Sequence, residues 1–140
     1  MKSISIFLAC VVFGADLAAV KAEPNLEKRS EKALVYAGEL LTAMRGELDR
    51  GDVAKIKQQL VDFQNAIDLS VDSLEATGKN ARSNPKYFKR AEVRLRELNR
   101  RLATFKSDMD LDDRPLLDGV RDHVAKKIDH LVEWTLRGKK

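Results

Sequence analysis

Along most of this chain the apolar positions recur in alternating steps of three and four, the spacing that lines side chains up on one stripe of an α-helix. Leu34, Ala37, Leu41, Met44 and Leu48 set the first stripe and predict a helix from about Leu26 to Asp49, with Ala33 and Leu40 widening it toward a neighbour. Gly51 is the expected stop, because glycine takes the left-handed conformation without steric cost. Asp52 is then placed to cap a second helix along Val53, Ile56, Leu60, Phe63, Ile67, Ser70 and Leu74, where only Ser70 interrupts the apolar character. Thr77 to Asn84 reads as a polar loop.

Ser83 or Asn84 is predicted to cap the third helix, with Pro85 in its first turn, where a missing N–H costs nothing. Phe88, Ala91, Leu95, Leu98, Leu102, Phe105 and Met109 keep its rhythm. After the acidic turn Asp110 to Asp113, Pro115 opens a fourth helix along Leu117, Val120, Val124, Ile128 and Leu131, and Gly138 closes it. Each helix is about 37 Å long at 1.5 Å per residue. Short connections predict that sequential helices are antiparallel neighbours. The expected fold class is all-α, an antiparallel up-down-up-down four-helix bundle. Shifting the chain by 61 residues superimposes Lys28-Arg29 on Lys89-Arg90, Leu34 on Leu95, Leu41 on Leu102 and Ile67-Asp68 on Ile128-Asp129, as any two amphipathic hairpins of equal length would.

The N-terminal segment follows a different pattern. Lys2 gives a positive start, Ile4 to Phe13 is nearly unbroken apolar sequence, and Val20 and Ala22 are small residues before a cut. The run is shorter than the roughly 20 residues that span a bilayer, so residues 1–22 read as a cleaved secretory signal peptide and 23–140 as the bundle domain. The expected location is therefore exported, periplasmic or secreted. Cys10, the single cysteine, falls in the discarded part. Too few apolar residues precede it for lipid attachment, and the mature chain is left with no disulfide or thiolate.

Composition adds little that the pattern does not already say. Charged residues are 34% and aromatics 6%, a profile of long helices rather than strands. Removing Lys2, Lys21 and Asp16 from the 26 basic and 22 acidic residues leaves 24 and 21, a net charge of +3. That mild excess does not by itself indicate a nucleic-acid or membrane partner.

Candidate chemistry is sparse. His123 and His130 lie seven residues apart, about 10.5 Å along a helix, too far to share one ion. His130 and Glu133 have ligand spacing, but no Glu-x-x-His motif of a di-iron bundle occurs. Covalent haem would need Cys-x-x-Cys-His, which is absent, and Met44 or Met109 paired with His123 reads first as core packing. Ser70, Ser73 and Ser107 have no histidine at useful spacing, so the reading is non-enzymatic, with no cofactor. Arg50-Gly51-Asp52 spells an integrin-type tripeptide, yet helix end, stop and cap account for all three residues.

Charge segregation is the most informative surface feature. Ten basic residues fall between Lys79 and Lys106 against only Glu92 and Glu97, while Asp108, Asp110, Asp112, Asp113, Asp118 and Asp122 follow. The candidate partner-binding residues are Lys86, Lys89, Arg90, Arg94, Arg96, Arg100 and Arg101, with Tyr87 and Val93 as apolar contacts. The competing account pairs these cations with Asp62, Asp68, Asp72 and Glu75 of the second helix. Aromatics do not interleave with the cations as in a base-stacking platform, so no nucleic-acid partner is expected.

The segment Ser83-Asn84-Pro85-Lys86-Tyr87-Phe88-Lys89-Arg90-Ala91-Glu92 through Arg100-Arg101-Leu102, with the Asp112-Asp113-Arg114 turn and the Gly138-Lys139-Lys140 ending, resembles a group of small exported bacterial helical-bundle proteins of unknown function. The resemblance implies a bacterial, exported protein and carries no functional residue over. The Leu-Thr-x-x-Gln repeats of small helical periplasmic stress chaperones are missing, Leu41-Thr42-Ala43-Met44-Arg45 being the nearest approach. The expected function is non-enzymatic contact with a protein or an anionic envelope component through the basic helix at 86–106, as a monomer or homodimer. The alternative is a bundle that carries haem or a metal ion through a histidine of the last helix.

Overall fold

A computed structural model describes residues 12–138. The protein is all-helical, with no strand among the described residues. Its helices are α1 (Val12–Ala22), α2 (Leu26–Asp49), α3 (Val53–Ala76), α4 (Lys86–Ser107) and α5 (Pro115–Arg137). The last four coincide with the four periodic stretches. Their stripes meet in one core, where Leu34, Met44, Ile56, Phe63, Leu95, Leu102, Val124 and Leu131 are almost wholly shielded from solvent.

The helix ends show why the chain stops where it does. Asn25 Oδ1 accepts the Lys28 N–H at 2.9 Å to open α2, and Asp52 Oδ1 accepts the Lys55 N–H at 3.1 Å to open α3. Gly51 and Gly138 have φ of 72° and 80°, so each ends its helix in the left-handed region. The expected cap of α4 does not form. Asn84 turns back into the preceding loop, its N–H donating to Asn80 O at 2.8 Å, and Pro85 takes the cap position without a side-chain bond. Arg114, at the start of α5, serves the other end of α4 instead. Its guanidinium donates to Met109 O and Ser107 O, each at 3.0 Å, satisfying carbonyls that a helix end leaves open.

Residue pairs fix the arrangement. Ser30 meets Ser70 across α2 and α3, and Lys106 meets Asp118 while Phe88 meets Trp134 across α4 and α5, so each pair folds back on itself as a hairpin. Between hairpins, Glu31 meets Arg90, Gly38 meets Arg101 and Arg45 meets Asp108. Both numbers rise together, so α2 and α4 run side by side in the same sense. Asp68 reaches His123 and Lys127, placing α3 beside α5. The expectation that every sequential pair would be neighbours is therefore corrected: α3 and α4 lie across a diagonal and touch far less than α2 and α4 do. The loop at 77–85 is long enough to cross that diagonal, and Ala81 within it is buried rather than part of a wholly solvated loop.

Cys10 and the apolar run before Val12 lie outside the described residues. The rest of the expected signal segment forms α1, which packs on α2 through Leu17 and Val20. Its helix runs through Lys21 and Ala22. Just beyond it, Glu23 is fixed to α2 twice, by Arg29 Nε donating to its carbonyl at 2.8 Å and by Lys32 on its carboxylate at 2.9 Å. The hydrogen bond from Lys32 holds the Glu23 carboxyl below its ordinary pKa. Among the described residues, no helix is long and apolar enough to cross a membrane.

Candidate functional site

α4 turns its apolar stripe inward, with Phe88, Ala91, Leu95, Leu98, Leu102 and Phe105 buried, and the register that buries them pushes its cations outward. Lys86, Lys89, Arg90, Arg94, Arg96 and Arg100 are exposed, and Arg101 is half-buried against α2. The seven candidate residues thus share one helix surface, though they do not converge on one point.

Their partners differ from those anticipated. Asp62, Asp68 and Asp72 of α3 form no ion pair with α4 among the described residues, since α3 lies across the diagonal. Asp68 instead binds His123 Nε2 at 2.6 Å, with Lys127 Nζ at 3.5 Å. Anions that do reach the basic helix are its own Glu92 and Glu97, Glu31 of α2 and, at its end, Asp118 of α5. Arg96 Nε donates to Glu92 at 3.2 Å, Arg94 lies 3.6 Å from Glu97, and Arg90 reaches Glu31 at 3.1 Å. The Arg94–Glu97 and Arg90–Glu31 pairs are solvent-exposed and hold their partners weakly, whereas the Glu92 side chain is only 15% exposed. Lys86 and Arg90 also flank the Tyr87 ring, at 5.3 and 5.5 Å from its centre.

The cations from Lys79 to Arg96 and the closing Lys106 mostly have a carboxylate within reach, and Arg100 and Arg101 do not. Lys79 bonds Glu27 at the start of α2; that hydrogen bond first, and the carboxylate charge second, raise the lysine above its ordinary pKa. Lys106 is paired with Asp118. Between them, Arg100 is exposed and forms no ion pair among the described residues. Arg101 donates only to neutral acceptors, Gly38 O at 3.3 Å and Thr42 Oγ1 at 3.1 Å.

That last contact brings α2 into the site, which sequence reasoning missed. Arg45 of α2 stands next to this cationic stretch, its guanidinium 5.2 Å above the centre of the Phe105 ring and 2.6 Å from Asp108. Gly38 carried the signal: a glycine inside a helix otherwise rich in good formers marks a close approach. A Cβ built there would stand 3.3 Å from Arg101 Nη1.

The histidines are engaged separately. His123 faces Asp68, while His130 stacks on Trp134 with ring centres 6.1 Å apart. Met44 and Met109 are buried in the core. No group of three or more His, Cys, Asp or Glu side chains converges among the described residues. Comparison with known protein families, with curated proteins and with solved structures found no match for this chain.

Proposed function

We propose that this is an exported, non-enzymatic bacterial protein whose mature chain, from Glu23, is a four-helix bundle that docks on an anionic surface of the cell envelope. The outer face of α4 is the contact. The observation that supports this reading is the pair Arg100 and Arg101, which have no carboxylate partner among the described residues, next to cations held only by exposed ion pairs. Export rests on the positive start, apolar run and small residues of the N-terminal segment. No observation favours haem or metal carriage, since the two histidines are taken up by different neighbours.

The test is co-sedimentation of the full chain with phosphatidylglycerol vesicles at low salt. A basic side chain near an anionic membrane contributes about 1 kcal/mol, so reversing Arg90, Arg96 and Arg100 to Glu should weaken binding by about two orders of magnitude or more. A wild-type protein that stays in the supernatant at low salt removes the reading.

A further inference from the structure

Because α2 and α4 run in the same sense, the seam between them carries two hollows of different character, which meet where Arg101 crosses to Gly38. Toward the start of both helices it is an apolar trough of about 550 Å³, floored by Leu34 and Ala91 and walled by Val35, Tyr87 and Val93. Val35 and Val93 are 47% and 63% exposed, uncommon exposure for β-branched side chains facing each other across one groove. The Arg90–Glu31 pair joins the two walls, but both partners are more than 45% exposed, so this link opens easily.

Further along, the same seam becomes cationic. A second hollow of about 410 Å³ has Leu41 and Phe105 beneath it, and Arg45, Arg100 and Arg101 around it with the hydroxyls of Thr42 and Thr104. Glu97 is the one acid on its lining, and it is engaged by Arg94. Arg100 and Arg101 therefore border this space without a carboxylate partner among the described residues. Arg45 is the third guanidinium on its lining, and its pair with Asp108 at 2.6 Å is solvent-exposed and readily exchanged for another anion. Planar guanidinium donors suit a phosphate group better than a point cation does. From Ala91 to Arg101 the helix advances about 15 Å, which sets the trough at the reach of an extended alkyl chain from the cationic end.

We propose that the α2/α4 seam binds one single-chain anionic phospholipid of the envelope, its phosphate held by Arg45, Arg100 and Arg101 and its acyl chain laid in the trough between Val35 and Val93. This rests on the envelope-contact reading and narrows it from a charged surface to a defined ligand. Phosphate alone shares the head-group chemistry, so the chain is what distinguishes the two sources.

Calorimetric titration of the full chain tests it, with lauroyl lysophosphatidate kept below its micelle threshold as the probe and inorganic phosphate and dodecyltrimethylammonium as comparisons. The expected result is saturation at one per chain, with inorganic phosphate at least about a hundredfold weaker, because each buried methylene adds to affinity. Arg45→Gln with Arg100→Gln should weaken binding at least about tenfold by removing charge-assisted hydrogen bonds. Val35→Asp with Val93→Asp should do the same through the trough. These two positions are exposed, so that variant should melt as wild type does, whereas the arginine variant also gives up the Arg45–Asp108 pair and should melt slightly lower. Lys57→Gln, at an exposed position of α3 away from the seam, should leave binding within about twofold.

Binding of inorganic phosphate as tight as that of the lipid would overturn the proposal, as would unchanged affinity in either double variant. Vesicle binding without any one-to-one titration would sink the seam and leave the envelope-contact reading standing. One-to-one titration without vesicle binding would support the seam and remove that reading.

Discussion

The α2/α3 hairpin buries small residues along its length: Ser30, Ala33 and Ala37 on one helix, Ala66, Ser70 and Ser73 on the other. The α4/α5 hairpin buries large ones, with Phe88, Leu95, Leu98, Leu102 and Phe105 facing Leu117, Val120, Val124, Ile128 and Leu131. Small side chains let helix axes approach, and α2 with α3 makes the most extensive contact in the molecule. The second hairpin keeps its distance, filled by aromatic and branched side chains, and carries its charge on the outside. One hairpin is joined by closeness and the other by bulk. The difference teaches that the surface chemistry follows from the packing: α4 turns nearly all its large apolar side chains inward and shows mainly cations, with Val93 as the apolar exception.

The two hairpins also stack rather than interleave. Pairs across the α2/α4 seam differ in number by about the same amount as the 61-residue shift that superimposes the two halves of the sequence. Successive hairpins in helical-repeat proteins stack in this way, like helices side by side in each layer.

The comparison can be broken most severely at Phe88. Its ring is buried and meets Trp134 edge-on, with centres 6.2 Å apart and planes at 82°. Phe88→Ala should cost about 3–5 kcal/mol in denaturant unfolding, by lost transfer energy and the cavity left behind. Trp134 is the only tryptophan, so its fluorescence should shift to the red in the folded variant. A cost below about 1 kcal/mol would mean that bulk does not hold the second hairpin together.

In the first hairpin the sharper test is a pair of hydroxyls. Ser30 Oγ and Ser70 Oγ are 2.9 Å apart in the core, both essentially without solvent contact. Ser70→Ala should cost about 1–2 kcal/mol, because it leaves the Ser30 hydroxyl buried with no partner. Adding Ser30→Ala should restore most of that loss, since removing both partners is nearly neutral in a space that already fits small residues. Strict additivity in the double-mutant cycle would show that the contact contributes nothing.

Much of this fold was legible in the pattern of apolar spacing. The limits of α2, the stops at Gly51 and Gly138 and the cap at Asp52 all follow from residues that act within one turn of themselves. What the pattern could not supply is which helix lies beside which. Periodicity gives each helix a buried face, and short loops suggest a neighbour, but the diagonal step from α3 to α4 depends on how two finished hairpins fit. The same limit applies to the site. The cations of α4 are identifiable one by one, whereas Asp68, expected beside them, pairs with His123 and Lys127 of α5, and Arg45 belongs to a wall that only the stacking reveals. Pro85 was placed one position too far into α4, because Asn84 had a better hydrogen bond to make behind it.

The smallest expected effect separates a glycine required by the stacking from one that is not. Gly119 lies exposed inside α5, and a Cβ there would meet no atom within 4 Å. Gly119→Ala should therefore stabilise the protein by about 0.5–1 kcal/mol, the ordinary gain from removing backbone freedom in the unfolded chain. Gly38 is also inside a helix, but its new Cβ would stand 3.3 Å from Arg101 Nη1, where that side chain crosses from the second hairpin to the first. The guanidinium is the flexible end of a long chain and can move, at the expense of its bond to Gly38 O. Gly38→Ala should then gain measurably less than Gly119→Ala in paired thermal melts. Equal gains would mean that Arg101 is not held at the seam, and the cationic end of the groove would lose one of its three fixed points.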